Sequence, residues 1–190
     1  MNIRSMVYIS MCAAIVAVLG LLPPITLPLT PVPITAQTLG VMLAGALLGA
    51  KRGSLSLIIF VLLVTFGAPL LSGGRGGIGV FFGPSGGYIL SWPIAAFVIG
   101  WLVEKFWNRM NVGLFLLFNF IGGILVVYSI GITYLSMMTG TPWLAAATAA
   151  LVTYVPGDLV KVVVAALLAD QMRRVYPLIG KDKERLSRVA

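Results

Sequence analysis

Tyr154-Val-Pro-Gly-Asp-Leu-Val-Lys161 decides how the last part of this chain folds. It interrupts an apolar run from Pro142 to Val175, 34 residues, which as one helix would be about 51 Å long against a bilayer core of about 30 Å. Proline removes a backbone donor and clashes with the preceding turn, so Pro156-Gly157 predicts a break. The reading is a short outer helix over 142–154, followed by a membrane span over 157–173. The same stretch holds Asp158 and Lys161, the only charged side chains between Val112 and Ala169. Three residues apart, they share one face of a helix. An ionised group at mid-membrane costs about 2.5–3.5 kcal/mol on insertion scales, so both must face something polar. That makes the pair a candidate functional site.

The rest of the composition agrees with a membrane setting. Of 190 residues, 59% are hydrophobic and only 9% charged, with a mean hydropathy of +1.06. Long apolar runs punctuated by Gly/Pro or basic patches predict an all-α polytopic membrane protein. The net charge of +8 is not a nucleic-acid footprint, because the basic residues sit at the ends of apolar runs rather than in a stripe with aromatics. There is no histidine, and the one cysteine, Cys12, lies inside the first apolar run. Disulfides, metal sites and Cys/His catalysis lack raw material.

Walking outward gives six spans in one compact bundle, residues 1–175, and a polar tail, 176–190. Span one covers 5–22. A loop with five prolines follows over 23–33, stiff and without charge. Spans two and three, 34–50 and 54–71, are joined by a turn at Lys51-Arg52-Gly53. A glycine-dense stretch, Ser72 to Tyr88, leads into span four, 88–107, and span five covers 112–138. With six spans, 11 of the 13 Lys/Arg fall on one side, leaving Arg75 opposite and Lys161 in the outer part of span six. The positive-inside rule then predicts that both termini, tail included, are cytoplasmic.

On this topology the proline-rich loop, the Arg75 loop and the start of span six meet on the outer face. Arg75 plus Lys161 minus Asp158 leaves one net positive charge, complementary to one ligand carboxylate. The free N–H groups at the predicted start of span six would add attraction for an anion. Thr35, Gln37, Ser85, Tyr88 and Asn119 are neutral polar groups that together are able to read a small polar head group. Apolar residues among the glycines, Ile78 to Phe82, predict a lid that packs inward. Gly74-Arg-Gly-Gly-Ile-Gly79 matches a dinucleotide-binding pattern only by chance, since no strand precedes it.

Taken together, Pro31-Val-Pro-Ile-Thr-Ala-Gln-Thr38, Gly73-Gly-Arg-Gly-Gly-Ile-Gly79, Gly83-Pro-Ser-Gly-Gly-Tyr88 and Pro156-Gly-Asp-Leu-Val-Lys161 resemble the BioY family. These are the biotin-capturing S components of energy-coupling-factor (ECF) transporters of prokaryotic cell membranes. The resemblance runs along essentially the whole chain. It implies six helices, high-affinity capture of biotin from outside, and docking onto a transmembrane T component driven by two ABC-type ATPases. It implies no cofactor and no enzyme activity. It also places Ala13 and Ala17 on the surface that meets the T component. Asp158 and Lys161 become ligand contacts: Lys161 pairs a carboxylate or polarises the ring carbonyl, and Asp158 accepts from a ureido N–H. A stand-alone facilitator or channel for a small organic acid is the alternative, but a channel calls for a polar stripe across several spans. A membrane-embedded enzyme calls for a nucleophile or metal ligands that this chain lacks.

Overall fold

The computed structural model describes residues 3–28, 30–176 and 178–179. The described residues form α1 (Ile3–Gly20), α2 (Gln37–Thr65), α3 (Gly86–Lys105), α4 (Val112–Phe120), α5 (Val127–Thr139) and α6 (Trp143–Val175). A π-helical turn, Ile121–Val126, joins α4 to α5, so that Val112–Thr139 is one rod. Counted in this way, five helical segments are long and apolar enough to cross a membrane. Among the described residues there is no β structure beyond two isolated bridges, Ile25 with Ile34 and Leu71 with Arg75.

The 29-residue α2 is not straight. Gly49 leaves helical geometry (φ 81°, ψ −176°) in a region that glycine enters without strain. Nine residues of unbroken helix would separate Ala44 from Gly53 by about 13 Å. Instead a Cβ on Gly53 would stand 2.6 Å from the Ala44 carbonyl oxygen. The chain therefore doubles back at Gly49, giving two arms, 37–48 and 50–65. The Glu104 carboxylate of α3 accepts from the Ala50 amide at 2.9 Å, satisfying a donor that the new helix start would leave open. The reversal thus falls just before Lys51-Arg52-Gly53, which lie in the first turns of the second arm. The second arm ends at Thr65, and 66–71, predicted as helix, is irregular chain.

The last apolar run also differs from expectation. It is one helix of 33 residues with Pro156 inside it, not a short helix followed by a span. A proline removes only its own donor, and neighbouring packing tolerates the loss in membrane helices. Pro156 and Val152 face outward, while Thr153, Tyr154 and Asp158 are buried. The weak point therefore lies on the side away from the bundle. Because α6 is continuous through Gly157, it has no helix start at Asp158, and the expected contribution from free helix-start amides is absent.

Small residues bring the helices together. Gly100 of α3 lies against the backbone of Gly49 and Ala50, and a Cβ on Gly45 would stand 2.6 Å from the Ala96 carbonyl oxygen. Close backbone approach of this kind is how membrane helices associate when burial from water gives no drive. On α1 the inward stripe is Ile9, Cys12, Ala13, Val16 and Gly20, and the opposite face, Met11 and Val18 among it, is exposed. Exposed large apolar residues also cover α6, among them Val160 and Leu167. These faces suit lipid rather than water. At the far end, Leu178 and Ile179 of the predicted exposed tail pack against the bundle, near Trp107 and Met172. Residues 177 and 180–190 of the tail lie outside the described residues.

Candidate functional site

The irregular segments at one end of the bundle and the adjoining turns of α2, α3, α5 and α6 enclose a cavity of about 580 Å³, its open mouth included. Tyr154, Asp158 and Lys161 stand at i, i+4 and i+7 on α6, so one helix face delivers all three to the wall. Thr35 and Thr38 come from the segment entering α2, Arg75 and Ser85 from the glycine-rich stretch, Tyr88 and Trp92 from α3, and Tyr128 from α5.

Asp158 and Lys161 form a buried ion pair, Nζ to Oδ1 at 2.6 Å, with side chains 6% and 16% exposed. The ammonium also donates to the Thr35 carbonyl at 2.6 Å and to Thr38 Oγ1 at 3.0 Å. Its three protons therefore have three acceptors. The second carboxylate oxygen of Asp158 accepts from the Tyr128 hydroxyl at 2.6 Å. The pair is internally neutral and firmly held. Arg75 is different: it donates through Nε to the Ser72 carbonyl at 3.2 Å and through Nη1 to Ser85 Oγ at 3.5 Å. Among the described residues no carboxylate lies within ion-pair distance of it. The cavity carries the net positive charge expected from sequence, and that charge belongs to Arg75.

Three tyrosines shape the apolar part. Tyr88, Tyr128 and Tyr154 pack edge to face in all three pairings, with ring centroids 6.2–6.4 Å apart. The approach of Tyr88 depends on Gly131, because a Cβ there would enter its ring. The Tyr154 hydroxyl donates to the Val32 carbonyl at 2.8 Å and so ties the proline-rich segment over the site. The Ile25–Ile34 bridge closes that segment on itself. Tyr134 donates to the Phe81 carbonyl, and Val80 and Phe81 pack against the core, but Ile78 and Phe82 of the expected inward-packing lid are exposed, so the turn does not pack inward as a whole.

Seven of the eight predicted ligand residues line this cavity: Asp158, Lys161, Arg75, Gln37, Thr35, Tyr88 and Ser85. Asn119 does not; it is fully buried beside the π-helical turn, and its amide has no hydrogen-bond partner among the described residues. Gln37 lines the wall, but both ends of its amide are taken by the protein. Of the two predicted docking residues, Ala13 points into the core and Ala17 is half-buried. Sequence reasoning did not assign Thr38, Trp92, Tyr128 or Tyr154 to the site. Tyr154 opens the very stretch that gave Asp158 and Lys161, and its hydroxyl within an apolar run was the available signal. Among the described residues, no three side chains of metal-ligating type converge.

Comparison with known proteins places this geometry. The model of the BioY family matches residues 1–178. The chain is 47% identical to the biotin transporter BioY of Rhizobium etli, over 94% of this chain and 98% of that one. It is 42% identical to the biotin transporter BioY of Rhodobacter capsulatus, over 92% and 95%. Among solved structures, it superposes with a TM-score of 0.86 on the S component for biotin from an ECF-type ABC transporter, at 34% identity and covering 90% of this chain and 92% of that one. Those proteins are transporters, not enzymes. With its motifs in order, its helices in the same arrangement and its length matched almost throughout, this chain belongs to the BioY family.

Proposed function

We infer that this protein is the membrane-embedded subunit that captures biotin outside the cell and hands it to an ATP-driven energy-coupling module. The observation that carries this reading is the cavity itself. It holds at one place a cation with no carboxylate in ion-pair range among the described residues and, at another, a neutral Asp158–Lys161 pair beside three packed tyrosines. Biotin has the matching polarity, with a carboxylate at one end and an uncharged ring bearing N–H and C=O groups at the other. In this reading the carboxylate goes to Arg75. The ureido ring goes to the α6 pair, its N–H donating to Asp158 and its carbonyl facing Lys161. Thr35, Thr38, Ser85, Tyr88, Trp92, Tyr128 and Tyr154 complete the wall.

The chain crosses the plasma membrane of a prokaryote six times, the two arms of α2 counting as two crossings. The doubling-back at Gly49 supports this count, since an even number keeps Arg4, Lys51, Arg52, Lys105, Arg109, Arg173 and Arg174 on the cytoplasmic side. Both termini are then cytoplasmic and the cavity opens outward. The partners are a transmembrane T component and two ABC-type ATPase subunits. The docking face includes α1, whose outer side is open, with Ala17 at its border and Ala13 behind it.

Purified protein in lipid vesicles tests the assignment. The chain alone is expected to bind biotin, and co-reconstitution with T component and ATPases to give ATP-dependent accumulation. Failure of ATP to raise accumulation in the complete assembly would refute the coupling; passage of many unrelated organic acids through the chain alone would favour a channel.

A further inference from the structure

Gln37 stands in the wall of the cavity with both ends of its amide hydrogen-bonded to the protein. Its Nε2 donates to the carbonyls of Val16 on α1 and Leu70, each at 3.1 Å. Its Oε1 accepts from the Ser72 amide at 3.1 Å and from Ser72 Oγ at 3.5 Å. An amide has two donors and two acceptor lone pairs, so nothing is left for a ligand. Gln37 is 1% exposed, which means that losing any of these partners would strand a buried polar group.

The bonds continue beyond it. Ser72, fixed by Gln37 through its amide, accepts through its carbonyl from Arg75 Nε at 3.2 Å. Leu71 and Arg75 close the small turn between them through paired backbone bonds at 3.0 and 3.2 Å. One hydrogen-bonded line therefore runs from Val16 in α1, through Gln37 at the start of α2, to Ser72 and Arg75. On the α1 side, Gly20 leaves room for the amide and for the carbonyl it donates to, because a Cβ there would collide with the Leu70 carbonyl oxygen and stand 2.9 Å from Gln37 Nε2.

We propose that Gln37 is a positioning residue: it sets the guanidinium of Arg75 for the ligand's carboxylate and ties that placement to α1. The inference rests on the biotin reading above, in which Arg75 meets the carboxylate. It accounts for a polar side chain that lines the site without a free atom to offer. Displacement of α1 would pull on the Gln37 amide and, through Ser72, on Arg75.

The test compares biotin with biotinol, in which the carboxylate is replaced by an alcohol, on the full chain in detergent or vesicles. Wild type is expected to prefer biotin. Gln37→Met, which keeps the length of the side chain but removes the amide, is expected to weaken biotin about tenfold or more, the size of one charge-assisted hydrogen bond. Its affinity for biotinol is expected to stay within about threefold, and its effect to vanish in an Arg75→Gln background, as for residues acting through one another. Gly20→Ala crowds the Leu70 carbonyl and the Gln37 amide that donates to it, from α1 and without removing a hydrogen-bonding group, and provides the same readout if Gln37→Met does not fold. Equal losses for both ligands, no loss for either, or additivity with Arg75→Gln would overturn the proposal. A wild type that binds no biotin, or binds both ligands alike, would instead overturn the reading beneath it.

Discussion

Lys161→Met separates what the α6 pair does for stability from what it does for binding. The ammonium holds the Asp158 carboxylate at 2.6 Å, the Thr35 carbonyl at 2.6 Å and Thr38 Oγ1 at 3.0 Å. Without it, Asp158 keeps the Tyr128 hydroxyl and a weak contact from Thr38 at 3.4 Å, in a setting where its side chain is 6% exposed. Removing one partner of a buried ion pair costs about 3–5 kcal/mol, because the other charge stays buried. The freed Thr35 carbonyl adds about 1 kcal/mol. The expected loss is therefore about 4–6 kcal/mol of unfolding free energy, the sum of those two contributions. Asp158→Asn combined with Lys161→Met removes both charges and leaves an amide oxygen for Tyr128, so most of that stability should return. Biotin affinity should not return in the double variant, because the ammonium is gone and the uncharged amide oxygen, already accepting from Tyr128, replaces the carboxylate. Denaturant unfolding in detergent micelles, with ligand titration on the same samples, measures both. A single variant as stable as wild type, or a double variant no more stable than the single one, would refute the buried-pair argument. Tight binding by the double variant would refute the role of the pair in the site.

Other substitutions probe separate parts of the account. Tyr128→Phe deletes one hydrogen bond to a carboxylate, worth about 1.5–3 kcal/mol, and is expected to weaken biotin roughly tenfold or more while the chain still folds, read by titration. Gly131→Val drives a side chain into the Tyr88 ring and should lower the unfolding midpoint by overpacking, at about 1–3 kcal/mol or more. Gly49→Ala imposes a positive φ on a residue with a Cβ and presses it onto the Glu104 carboxylate; a stability loss of about 1–3 kcal/mol is expected. For topology, single cysteines introduced at Arg52 and at Gly74 in a Cys12→Ala background should react with a membrane-impermeant thiol reagent from opposite sides. Labelling of both from one side would contradict six crossings.

Much of the architecture was legible because lipid imposes simple rules. Apolar runs long enough to span, and basic residues at their ends, located α1, α3 and the rod over Val112–Thr139 to within two residues at each end, while the second arm of α2 ends six residues early and α6 is one helix instead of two. The errors have a common cause: local breaking signals were read without their neighbours. Pro156-Gly157 looks like a break in sequence, but its proline faces outward while Tyr154 and Asp158 are anchored inward, and the helix runs on. Lys51-Arg52-Gly53 looks like the turn, but Gly49 makes it because Glu104, more than 50 residues later, receives the Ala50 amide. The site was legible where charge marked it. Asp158, Lys161 and Arg75 stand out as charges in so apolar a chain, and all three line the cavity. Tyr128 was not, since a tyrosine within a span carries no sign of its orientation until α5 and α6 are packed. Gln37 was found at the cavity, but that its amide serves the protein rather than a ligand depends on Val16, Leu70 and Ser72, which only folding brings together.

The central claim is that one cavity, with Arg75 at one place and the Asp158–Lys161 pair at another, receives biotin. Calorimetric titration of the purified chain alone, without T component or ATPases, tests it most directly. Saturable binding of one biotin per chain is expected, abolished in Asp158→Asn/Lys161→Met and sharply weakened in Arg75→Gln. Absence of binding by folded wild-type protein, or binding untouched by both variants, would contradict it.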